Sequence, residues 1–117
     1  YRRRNLIDAR TAGVDDPDVL NILNTIREEE FTIESVLLAQ NIVDSLDTQV
    51  GAVSTNRGIK EESWYVVRNA KMPSVLVELG FVTNPGEIMR LRDSDYLNKL
   101  ALGIYNGIST FITSFEE

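Results

Sequence analysis

Residues 71–85 read KMPSVLVELGFVTNP, an apolar run opened by Pro73 and interrupted by a single carboxylate, Glu78. The near-continuous Ser74-Val75-Leu76-Val77-Glu78-Leu79 has the composition of an interior strand covered on both faces. Side chains alternate along a strand, so Val75, Val77 and Leu79 are expected on one side and Leu76, Glu78 and Gly80 on the other. Glu78 would then stand near the C-terminal end of the strand, the end at which open α/β sheets bind ligands. Burying a lone carboxylate costs several kcal/mol unless something compensates, which makes Glu78 the residue to explain.

The flanking segments predict helices. Asp16 can cap, Pro17 suits a first helical position, and Val19, Leu20, Leu23 and Ile26 share a face, which predicts a short helix. The acidic run Glu28-Glu29-Glu30, read as a solvated helix start, leads into a longer amphipathic stretch. Its residues Ile33, Val36, Leu37, Val43, Leu46 and Val50 recur in steps of three and four until Gly51. Thr55-Asn56-Arg57-Gly58 has turn chemistry, and Trp64-Tyr65-Val66-Val67 has the composition of a second short strand. Asn84-Pro85-Gly86-Glu87 is a helix start in which Glu87, three residues after the cap, can return a capping-box bond. Asp93-Ser94-Asp95 starts a last helix, with Leu97, Leu100, Ala101, Ile104, Ile108, Phe111, Ile112 and Phe115 as its apolar stripe. Gly103 and Gly107 within it are expected to be close-packing positions. Residues 1–15 show no sustained period and are read as an incoming strand end and a loop.

Composition narrows the chemistry. The 117 residues are 43% hydrophobic and 26% charged, the balance of one soluble domain. A net charge of −6 argues against nucleic acid as the main partner, because phosphate binding relies on a basic face. No stretch approaches the length of a membrane span. There is no Cys and no His, which removes disulfides, thiolate metal sites, and Ser-His-Asp or Cys-His catalysis by this chain. Asp15, Asp16 and Asp18 lack the spacing of a calcium loop. Glu78 remains as the candidate catalytic group, with Arg57, Arg68 and Lys71 as supporting cations. Two roles stay open for it: a salt bridge to one of those cations, or a general base whose pKa desolvation raises.

Residues 54–91, STNRGIKEESWYVVRNAKMPSVLVELGFVTNPGEIMRL, resemble the C-terminal half of the zinc-dependent N-acetylmuramoyl-L-alanine amidases of the amidase-3 type, which are bacterial cell-wall hydrolases. The matching pieces are the NRG turn with Lys60, the YVVR segment ending in Arg68, MPSVLVELGF and the TNPGE helix start. The helix before the NRG turn and the closing DSDYLNKLALGIYNGI are also similar to the family. The resemblance implies an α/β domain, with part of a sheet flanked by helices, and a single catalytic zinc. It also implies cleavage of the amide between the lactyl group of N-acetylmuramic acid and the L-alanine of the stem peptide. Glu78 corresponds to the family's catalytic carboxylate, and Arg57 is a candidate substrate-binding residue.

The family holds its metal with two His and one Glu from the preceding part of the domain, whereas this chain has no His. Residues 1–117 are therefore expected to be the C-terminal part of a single amidase catalytic domain, with the N-terminal strands that carry the metal ligands absent. Zinc belongs to the complete domain, and the chain alone is expected neither to hold it nor to hydrolyse peptidoglycan. Further expectations are a periplasmic, cell-wall or extracellular location and self-association or pairing with the missing N-terminal half. The alternatives are a non-catalytic cell-wall or protein-binding module on the same scaffold, or an unrelated α/β domain in which Glu78 is salt-bridged.

Overall fold

A computed structural model describes residues 16–60 and 70–116. Among the described residues three helices carry the fold: α1 (Pro17–Val50), α2 (Pro85–Leu91) and α3 (Ser94–Glu116). The N-terminus of α1 forms as its residues dictate, with Pro17 in the first turn and the Asp16 carboxylate accepting the Asp18 N–H at 2.9 Å. The expected break near the acidic run does not occur, and α1 is one helix of 34 residues, about 51 Å at 1.5 Å per residue. Its interior contains no Gly and no Pro after Pro17, and the acidic run is made of good helix formers. Arg27 reaches Glu30 at 3.8 Å one turn on. Hydroxyls that could compete with the helix bond back into it, Thr25 to the Asn21 carbonyl at 2.9 Å and Ser35 to that of Phe31 at 2.7 Å.

α3 lies against the C-terminal half of α1. Its buried stripe is Tyr96, Leu100, Gly103, Gly107 and Phe111, one notch round from the stripe expected from apolar periodicity. Leu97, Ile108 and Phe115 of the expected stripe are exposed. The two glycines account for the rotation: a Cβ on Gly107 would lie 2.6 Å from the Ile42 Cα, and one on Gly103 would lie 2.8 Å from a Leu46 methyl. The helix turns its smallest residues toward α1 so that the two backbones can approach. Around this contact Val50, Tyr96 and Leu100 form the core, with Leu46 and Leu91 packed on it. Each such aliphatic side chain contributes about 1.5–3 kcal/mol on burial.

The expected α/β fold with part of a sheet is overturned, since the described residues form helices and connecting segments and contain no strand. A strand exists only through a ladder with a neighbour, and no such partner faces Ser74–Leu79 among the described residues. Instead the Ser74 N–H donates to the Ser35 hydroxyl of α1 at 2.8 Å. The apolar composition of 74–79 reported a tendency toward burial, which is not the same as a pairing partner. The second expected strand, Trp64–Val67, and the incoming strand end at residues 1–15 lie outside the described residues.

Candidate functional site

The segment expected to turn, residues 55–58, is held by the bonds that its residue types allow. The Asn56 side-chain amide oxygen Oδ1 accepts the Gly58 N–H at 2.8 Å, and Gly58 has φ +82°, a conformation that glycine adopts without strain. The Asn56 amide also donates to Asp47 of α1 at 2.9 Å, which ties the turn to the end of that helix. Arg57 is thereby presented toward α2. Its guanidinium sits 4.5 Å from the centroid of the Phe81 ring and donates to Glu87 Oε1 in an ion pair.

Among the described residues the fold buries two carboxylates, Glu34 of α1 and Glu87 of α2, and it is Glu87 that meets Arg57. Its side chain is 7% exposed, against 43% for that of Arg57. The expected capping box is therefore corrected. Asn84 caps α2, accepting from the Gly86 and Glu87 N–H groups at 3.0 and 3.2 Å, but its own N–H donates to the Phe81 carbonyl at 3.1 Å. Glu87 Oε2 instead accepts the Phe81 N–H at 2.7 Å. These bonds to the Phe81 amide and to Arg57 hold the Glu87 carboxyl below its ordinary value, against the opposing effect of burial, with Arg90 adding a further favourable charge. Gly80, just before Phe81, has φ +156°, and a Cβ there would meet Glu87 and Leu91 side-chain atoms at 3.5 Å. Those distances are ordinary van der Waals contact, so it is the torsion that favours glycine at this position.

Glu78 stands two residues before this glycine and is exposed to solvent. The burial expected of it is thus overturned, because among the described residues no sheet flanks residues 74–79. Among the described residues neither Arg57 nor Lys71 is ion-paired to it, and Arg68 lies outside them. Glu78, Arg57 and Glu87 nevertheless line one open groove of about 970 Å³, whose apolar walls include Phe31 and Val43 of α1 and Leu79 of the connecting segment. Glu78 and Arg57, the two residues singled out from sequence, thus border the same groove, and Glu87 is the one of the three that contacts Arg57. No spacing rule links Glu87 to Arg57 thirty residues away, and its place three residues after a cap supplied a sufficient local explanation.

The residues present do not fit a zinc ion. The sequence has no His, and among the described residues no three His, Cys, Asp or Glu side chains gather into a metal-holding group.

The N-acetylmuramoyl-L-alanine amidase family (Amidase_3) matches residues 19–110, and the chain belongs to that family. A protein of Bacillus subtilis (strain 168) named "Uncharacterized protein YqiI" is 39% identical over 63% of this chain and 33% of its own length. The N-acetylmuramoyl-L-alanine amidase LytC of the same organism is 36% identical over 63% of this chain and 14% of its own. The probable cell wall amidase LytH of Staphylococcus aureus is 31% identical over 62% and 26% respectively. The matched part thus spans a third or less of the length of these relatives. No solved structure matches the chain.

Proposed function

We propose that this chain is the part of a peptidoglycan hydrolase that supplies the proton-transferring carboxylate and one wall of the substrate groove. The observation that carries this is the family match across residues 19–110, which contains Glu78 and Arg57. The bond broken is the amide between the lactyl carbonyl of N-acetylmuramic acid and the nitrogen of the first L-alanine of the stem. Water adds to the lactyl carbon as Glu78 takes its proton. The C–N bond then breaks as Glu78 returns that proton to the departing amine, leaving a lactyl carboxylate and a free alanine amino group. A muropeptide lying in the groove would cover the otherwise exposed Glu78 carboxylate and exclude bulk water from it. Arg57, half-exposed beside the groove, contributes a substrate contact. Zinc enters only as a group held by residues outside these 117. The location follows the substrate: cell wall, periplasm or exterior. Among the described residues no helix is long and apolar enough to cross a membrane.

In the full-length protein, Glu78→Gln is expected to lower the release of new alanine amino termini from purified peptidoglycan by at least ~10²-fold, with metal content unchanged. Turnover close to that of the parent would refute the role of Glu78. The absence of His favours a second reading, a non-catalytic cell-wall-binding module. That reading requires peptidoglycan binding by the full-length parent with no amine release at all.

A further inference from the structure

We propose that Glu87 is a positioning residue of the groove: it locks Arg57 and the Gly80-Phe81 backbone into one unit that presents the guanidinium to a carboxylate of the peptide stem. This rests on the amidase reading for the identity of the ligand, and on geometry for the unit itself. The two oxygens of one carboxylate bind two chain segments, residues 55–58 through Arg57 and the connecting segment through the Phe81 N–H, while the residue itself belongs to α2. The Phe81 ring adds a third contact, its centroid 4.5 Å from the guanidinium carbon. Arg57 is thus held by an aromatic ring and an anion, and among the described residues only part of its donor set is used. A guanidinium carries five N–H donors, and Glu87 accepts from Nη2 of a side chain that is 43% exposed. A planar fork fixed in this way is suited to gripping a second carboxylate, and its rotamer entropy is lost on folding rather than on binding.

Helix capping does not account for Glu87, because the Asn84 N–H that a capping box would use is bonded to the Phe81 carbonyl. A simple anchor for Arg57 does not account for it either, since its other oxygen is committed to the Phe81 N–H, three residues after Glu78. The bond therefore fixes the same connecting segment that carries the candidate proton-transferring group.

The test is a double-mutant cycle in the full-length protein, with Glu78→Gln as the common background. Affinity for a soluble muropeptide is read by calorimetry, and folding by thermal melting. Glu87→Gln keeps an acceptor for the Phe81 N–H and removes the charge that holds Arg57, while Arg57→Gln removes the cation. Each single change is expected to weaken binding about tenfold, the equivalent of one charge-assisted hydrogen bond. The double change is expected to weaken it no further than either alone. Unchanged affinity in a folded Glu87→Gln protein, or losses that add in the double variant, would overturn the proposal and leave Glu87 a structural brace. If Glu87→Gln does not fold, Arg57→Gln decides, and unchanged affinity in that variant overturns the proposal. Coupled affinity losses alongside a parent that releases no amine with Glu78 intact would refute the amidase reading while leaving the positioning role in place. A background protein that binds no muropeptide refutes the proposal.

Discussion

Glu87 keeps its charge because the Phe81 amide and the Arg57 guanidinium both favour the ionised form, and this gives stability a defined pH dependence. Its folded pKa lies below the ordinary value of 4.5, so the unfolded chain takes up the proton first as pH falls. The stabilisation is therefore complete above about pH 4.5 and is lost as pH drops through the folded value. The Tm difference between the parent and Glu87→Gln is expected to stay constant in the neutral range and to shrink below that point. A difference that persists unchanged into acid would show that the charge contributes nothing. Residue identity made Glu78 legible as a carboxylate worth explaining, and Arg57 legible as part of a turn. Glu87 was not legible in this role, because its partners come from a turn thirty positions earlier and from a backbone amide.

At the scale of elements, the contact between α1 and α3 depends on the absence of side chains at two positions. An added methyl at Gly107 would meet backbone, the Ile42 Cα at 2.6 Å and N at 2.9 Å, and backbone cannot rotate away. At Gly103 the nearest atom is the Leu46 Cδ2 at 2.8 Å, the far end of a flexible side chain. Alanine would improve helix propensity by about 1 kcal/mol at either site, while overpacking costs about 1–3 kcal/mol. Gly107→Ala is therefore expected to lower the Tm by several degrees, and Gly103→Ala by less, as followed by circular dichroism. Equal effects, or stabilisation by both, would contradict the close approach. The helices themselves were legible because caps, prolines and apolar periods act within a few residues: Asp16, Asn84 and Asp93 all stand where helices begin. The sheet was misread because a strand is defined by its neighbour, and an apolar run such as 74–79 carries no information about which neighbour is present.

Across the whole molecule, the helices leave much apolar surface uncovered. The radius of gyration is 17.8 Å, whereas a compact domain of this length has about 13 Å. The extents of 57 × 34 × 19 Å follow from α1, whose first half carries exposed Val19, Ile22 and Ile26. α3 is apolar on both sides: one side packs on α1, and Leu97, Leu102 and Ile108 remain exposed away from it. Leu76, Leu79, Phe81 and Val82 are exposed along the connecting segment as well. Apolar surface of this extent associates with whatever covers it, at about 25 cal/mol for each Å² removed from water. The 117-residue chain by itself is therefore expected to self-associate, with an average mass that rises with concentration in sedimentation velocity. The net charge of −6 opposes this at low ionic strength, so added salt should strengthen association by screening like charges while leaving the apolar term in place. A monodisperse monomer that melts cooperatively over the same range of concentration and salt would mean that the exposed faces need no cover.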